Sequence, residues 1–182
     1  MPQSLVWLAL VLFEGLCVLW LVKVIRAGMS HEVPIALGFA VYVYECFHVF
    51  GQFPPNVVEL GGDPIVEGVG IGLLIASSLV FAWCGRLMKT AGQATDAWEN
   101  TTRLVQTGPF RLVRHPVYAS AALAAFAMTI IRLTPFGVGL FAAAMLLFLW
   151  GAYLEDGVNR EKFGVVYDEY RRRTKLMIPF VL

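Results

Sequence analysis

Apolar residues along this chain gather into five blocks: Leu5–Ile25, Val33–Phe50, Ile65–Cys84, Val117–Ile131 and Phe136–Leu154. A helix needs about 20 residues to cross a hydrocarbon core some 30 Å thick. The pattern therefore predicts an all-α integral membrane protein with about five transmembrane helices. The fourth block is short for a full span and is expected to tilt, to start in the interface, or to take length from its flanks. Only Arg132-Leu133-Thr134-Pro135 separates it from the fifth, so the last two helices should form an antiparallel hairpin.

Two polar segments remain. Gly85–His115 would connect the third and fourth helices, and Asp156–Leu182 would form a charged tail. The chain thus divides into residues 1–84, three N-terminal helices, and residues 85–182, the connector, hairpin and tail. Within the tail, Val158, Phe163, Val166, Tyr167 and Tyr170 recur at roughly helical spacing, as expected for an amphipathic helix docked on the membrane or the connector. Ile178-Pro179-Phe180 would then act as an apolar plug.

Composition agrees. Of 182 residues 58% are hydrophobic and 15% charged, and the mean hydropathy is +0.69; soluble domains carry about 25% charged residues. Net charge is +1 and no soluble basic module is present, so the composition offers nothing for nucleic acid. Of the 14 Lys and Arg residues, all but Arg132 fall in alternate loops. By the positive-inside rule this puts the N-terminus outside and the connector and tail in the cytoplasm. No Lys or Arg precedes Lys23 and no A-x-A-like site follows the first block, so Leu5–Ile25 reads as a retained helix rather than a signal peptide. A short Ala- and Gly-rich chain of this kind suits a bacterial inner membrane. Cys17, Cys46 and Cys84 are isolated within apolar blocks and read as small buried apolar residues.

Several polar positions could carry chemistry. Gly68 and Gly72 within Gly68-Val69-Gly70-Ile71-Gly72 have the G-x-x-x-G spacing of close helix packing; no strand precedes them, so they make no nucleotide loop. Glu14, Glu45, His48 and Glu67 lie in or near apolar blocks, where ionisable groups usually face protein or a wet cavity. Glu45 and His48 share a helix face. They are either a polar lining for a substrate, a hydrogen-bonded contact between helices, or residues near the membrane interface, since position 48 lies close to the outer end of its helix. One His and one Glu are too few for a metal site, so no metal is expected.

The richest stretch runs from Leu104 to Tyr118 and ends in Arg114-His115-Pro116-Val117-Tyr118 at the mouth of the fourth helix. Pro116 suits the first helical position. The helix start, with Arg111 and Arg114, could hold an anionic group such as a carboxylate. Glu155-Asp156 sits at the matching end of the fifth helix, so the hairpin should bring an acidic pair beside His115. A pocket holding both signs of charge would suit a zwitterion.

These two stretches resemble the isoprenylcysteine carboxyl methyltransferase family and its bacterial relatives, and are similar to phosphatidylethanolamine methyltransferases. The resemblance rests on Gly108-Pro109-Phe110, Arg114-His115-Pro116-Val117-Tyr118, Glu155-Asp156, Phe163-Gly164, Tyr167, Tyr170 and Pro179, and covers roughly Arg103–Phe180. It implies a methyltransferase that uses S-adenosylmethionine (SAM) on a lipophilic acceptor, lipid or lipidated, at the membrane. By position, it implies cofactor contacts from Arg103, Leu104, Val105 and Phe110 of the connector. From the hairpin it implies His115, Pro116, Val117, Tyr118 and Glu155. The substrate side would draw on Glu45 and His48, and no catalytic base is assigned. Asp156 stands in place of a second Glu, and Ser120 in place of a common Gly. Gly151 stands where the prenylcysteine enzymes carry an acceptor-binding arginine, which counts against a prenylcysteine acceptor. Two other readings remain: an NADPH-dependent membrane reductase of the sterol reductase type, whose C-terminal region is similar, and a non-catalytic membrane protein with a degenerate pocket.

Overall fold

A computed structural model describes residues 3–52, 54, 57–95 and 101–181. Residues 96–100, inside the expected connector, lie outside the described set. Six α-helices occur among the described residues: α1 Gln3–Arg26, α2 Val33–Phe50, α3 Pro64–Thr90, α4 Pro116–Ile131, α5 Pro135–Phe163 and α6 Val165–Arg173. Four of them, α1, α2, α3 and α5, are long and apolar enough to cross a membrane, and α4, at 16 residues, is the shorter apolar helix.

Helix starts follow local chemistry. Asp63 caps α3, its side chain accepting from the Ile65 amide at 2.8 Å, with Pro64 at the first position. Thr134 caps α5, its Oγ1 accepting from Gly137 N at 2.9 Å, ahead of Pro135. Each cap satisfies an amide that lacks an intrahelical acceptor. The turn 132–134 therefore ends α4 and starts α5 as a tight hairpin. Helix ends differ from the hydropathy pattern. The third helix continues to Thr90 and the fifth to Phe163, well past the apolar blocks. Hydropathy marks where the surroundings turn polar, whereas a helix runs until its backbone is broken. In α5 that break is Gly164, at φ +57° and ψ −134°, a conformation that side chains with a Cβ rarely adopt.

The α4–α5 hairpin is the centre of the bundle. α3 packs along α4, α2 along α5, and α1 lies outside against α2. The Gly68/Gly72 spacing does not make the expected contact, because a Cβ on either residue would meet nothing within 4 Å. Gly70, on the opposite side of the helix, is the point of close approach: a Cβ there would lie 2.8 Å from Ile131 Cγ1 and 3.0 Å from Ala127 O. Two residues advance about 200° around a helix, so the small-residue spacing marks the wrong face. Of the cysteines, Cys84 is buried and Cys17 and Cys46 are half-buried, all as free thiols.

At the end of the bundle away from the connector, Arg132 pairs with Glu59 at 3.0 Å and donates to the His48 carbonyl. At the connector end, the tail returns alongside residues 112–115. Arg114 N donates to Lys175 O at 2.8 Å and His115 N to Leu176 O at 3.0 Å, around a parallel bridge between Val113 and Lys175. The tail docks, as its aromatic spacing suggests, through two of the five residues expected. Tyr167 and Tyr170 are buried, while Val158 and Phe163 belong to α5 and Val166 is exposed. Of the expected apolar plug, Ile178 packs against the cluster of Ala121 and Phe148 while Phe180 is exposed; the neighbouring Met177 is fully buried in that cluster.

Candidate functional site at the mouth of the hairpin

The strip 112–115 is hydrogen bonded to the tail, and Pro116 then begins α4. This geometry aims His115 and Tyr118, one turn apart, at α5. There the neighbours Glu155 and Asp156 diverge by about 100° around the helix, and that angle gives them different partners.

Glu155 turns toward α4. Its Oε2 accepts from the Tyr118 hydroxyl at 2.5 Å and stands 3.7 Å from His115 Nδ1. Its Oε1 has only a long 3.5 Å approach from Asn159 Nδ2. The side chain is 24% exposed, so this oxygen can accept from a ligand. The His115 and Tyr118 rings are stacked, 5.6 Å between centroids and 9° apart, and Tyr118 is stacked in turn with Phe148. His115 is buried and its Nε2 has no hydrogen-bond partner among the described residues; Asp156 Oδ1 is 3.7 Å away. A buried unpartnered nitrogen beside an unsaturated carboxylate is an unusual pairing in a folded protein.

Asp156 turns toward the tail. Its Oδ1 accepts from Arg114 Nε at 2.7 Å and from the Tyr167 hydroxyl at 2.7 Å, and its Oδ2 from Arg171 Nε at 2.9 Å. Arg114 Nη1 also donates to Thr174 O at 2.8 Å. Tyr170 completes the latch, its hydroxyl donating to the Phe110 carbonyl at 2.6 Å. Burial, and then the adjacent Asp156 carboxylate, push the Tyr167 phenol well above its ordinary range, and burial does the same to Tyr170. Both tyrosines thus remain neutral donors.

The sequence expectation of one two-signed pocket needs correction here. Arg114 is spent on Asp156 and the tail carbonyls, so its charge is not free for a ligand carboxylate. Arg111 is exposed and lines a pocket together with tail residues 171–175. What remains beside Glu155 is the start of α4, where the Val117 and Tyr118 amides have no intrahelical acceptor. Arg103 is exposed and held by its backbone to Gly92 O. Val105, Phe110 and Val117 meet Cys84 in one apolar cluster against which Tyr118 packs, Leu104 is half-buried, and Pro116 is buried at the helix start.

Glu45 and His48 are fully buried in helix contacts distant in sequence from this cluster. Glu45 Oε1 accepts from Thr129 Oγ1 at 2.8 Å, and His48 Nε2 lies 2.7 Å from Thr134 Oγ1. The structure uses them as ties between α2 and the hairpin. Gly151 has no room for a side chain, since a Cβ would lie 2.5 Å from Ile35 Cγ1; α2 occupies the place of the missing arginine. Sequence reading missed Arg171, Thr174 and Met177. Their roles come from a tail that folds back onto residues 114, 121, 148 and 156, and no periodicity signals that.

No curated protein matches the chain closely enough to be compared with it. The family model described as "Phospholipid methyltransferase" matches residues 66–165, more than half of the 182 residues. The match takes in α3, the connector, the whole hairpin and the His115–Tyr118–Glu155 cluster, and so begins well before the Arg103 boundary of the sequence resemblance. The chain therefore belongs to the phospholipid methyltransferase family, a family of multi-pass membrane methyltransferases.

Proposed function

We propose that the protein transfers a methyl group from SAM to a lipophilic acceptor at the membrane surface. The observation that carries this reading is the convergence of His115, Tyr118 and Glu155, forty residues apart, with Glu155 Oε1 left able to accept. Glu155 suits the amino group of the methionine part, and the α4 start suits its carboxylate. Phe110, Val105 and Val117 give the apolar floor expected under an adenosine. When bound, SAM supplies a methyl group on a cationic sulfonium, which leaves as a neutral thioether as the acceptor's lone pair takes the methyl carbon.

The chain's own part is to bind, orient and exclude water. Tyr118 holds Glu155 in place by donating to it, and the Asp156 latch fixes the backbone of residues 113–115 over the site. Orientation of this kind can account for much of the rate of a displacement reaction. By the positive-inside rule the connector and tail would face the cytoplasm; the cofactor would then enter from that side and the acceptor from the bilayer. The closed position at Gly151 favours an acceptor recognised without an arginine there.

The test is calorimetric titration of the purified protein with SAM. The wild type should bind. Glu155→Gln removes a charged acceptor and should weaken binding about tenfold or more, at roughly 1.5–3 kcal/mol per charge-assisted bond; His115→Ala should also weaken it. Binding of NADPH in place of SAM would support the reductase reading, and binding of neither would support a degenerate pocket. Either result would overturn this proposal.

A further inference from the structure

A second concavity lies on the other side of α4. An apolar groove of about 740 Å³ runs between α3, α4 and α5, within the range of about 300–1,000 Å³ typical of ligand sites. Ser77, Val80 and Trp83 of α3, Ala119, Leu123 and Phe126 of α4, and Phe141 and Met145 of α5 line it. None of His115, Tyr118 and Glu155 lines it. From Pro116 to Phe126 the groove follows ten residues of helix, or about 15 Å. That is the depth of one leaflet of a hydrocarbon core about 30 Å thick. Trp83, Leu112, Leu123 and Phe126 are exposed along its lips, so it opens sideways. Trp83 stands at the connector end, where interfacial tryptophans gather.

At that end the groove meets a second pocket of about 280 Å³, with Arg111, Leu112 and Pro179 common to both. Its remaining lining includes Arg171, Arg172, Arg173 and Lys175 and no acidic residue. Arg171 is paired with Asp156, and Arg173 reaches Gln106. Arg111, Arg172 and Lys175 have no carboxylate partner among the described residues. The positive-inside rule explains basic residues on this side, but it does not call for them to converge in one concavity at the end of a leaflet-deep groove.

We propose that groove and basic pocket together bind one anionic phospholipid, with an acyl chain along α4 and the phosphate among Arg111, Arg172 and Lys175. Apolar length and cationic end match such a lipid in both depth and charge order. The site is separate from the Glu155 cluster and does not depend on the methyl-transfer reading. A lipid seated there would bridge α3, α4 and the tail segment 171–180, and so would brace the latch that covers the Glu155 site.

Native mass spectrometry of the detergent-purified full chain, titrated with phosphatidylglycerol or phosphatidylcholine, tests this. The wild type should retain one phosphatidylglycerol in clear preference to phosphatidylcholine. The triple variant Arg111→Gln, Arg172→Gln, Lys175→Gln changes only exposed side chains and should lose that preference, at roughly fivefold in affinity per cation. Ala119→Phe, which fills the groove, should weaken retention while the basic pocket stays intact. Inorganic phosphate at the same concentration should not compete. Equal retention of the two lipids, or an unchanged preference in the triple variant, would overturn the proposal. So would competition by phosphate alone, or a second copy of the chain in place of lipid.

Discussion

Replacing Asp156 by Asn tests whether one carboxylate latches the tail over the site. The volume is unchanged, but the charge facing Arg114 and Arg171 is lost and one carboxylate oxygen becomes an NH2 donor aimed at a donor. Arg114 and Asp156 are 10% and 7% exposed, so their separation falls in the class of broken buried pairs, about 3–5 kcal/mol. Arg171 is 38% exposed, and its share is discounted to at most about 1 kcal/mol. The loss falls on tail docking rather than on the bundle, because all three donors to Asp156 come from residues 114, 167 and 171. The assay is hydrogen exchange of the Arg114, His115 and Lys175 amides, which bridge strip and tail. Local opening should rise on the order of a hundredfold or more, since each 1.4 kcal/mol is tenfold. Trypsin should also cut within 171–175 far sooner. Glu155→Gln makes no tail contact and should leave this exchange unchanged. Exchange within twofold of wild type in Asp156→Asn would refute the latch.

Three further outcomes follow from the same geometry. Gly70→Ala forces a Cβ to 2.8 Å from Ile131 and should destabilise by about 1–3 kcal/mol, seen as a lower Tm in detergent, whereas Gly68→Ala and Gly72→Ala should be near neutral. Thr129→Val removes the one hydrogen-bond donor to Glu45 among the described residues, where Glu45 Oε2 is already unpartnered, and should cost about 1–3 kcal/mol by the same thermal measurement. Tail docking should hold below about pH 10 and weaken as pH rises further. The released phenols ionise near their ordinary value of about 10, while docked Tyr167 and Tyr170 resist ionisation; Tyr167→Phe should flatten this alkaline rise in α6 hydrogen exchange, by up to about 1.4 kcal/mol per pH unit.

The candidate site was legible in part. Arg114-His115-Pro116-Val117-Tyr118 and Glu155-Asp156 stand out in sequence because polar residues are costly at the edge of apolar blocks, and the four-residue turn between the helices forces their ends together. The division of labour between Glu155 and Asp156 was not legible. Adjacent letters give no angle, and only the helix rotation sends one carboxylate to Tyr118 and the other to Arg114, Tyr167 and Arg171. Arg114 shows the same gap: it reads as a free cation in sequence and is a nine-tenths buried structural ion in the fold.

The sequence by itself determined the spanning helices, the hairpin and the concentration of basic residues toward the connector and tail, because hydropathy, proline and charge act on neighbours in the chain. Tertiary structure alone decided which glycine touches α4, how far α3 and α5 continue past their apolar blocks, where the tail returns, and that a groove on the rear of α4 meets a basic pocket. Those features depend on contacts between residues as much as sixty positions or more apart, whose pairing is set by packing and by the angle each helix presents, and a single linear pattern encodes neither.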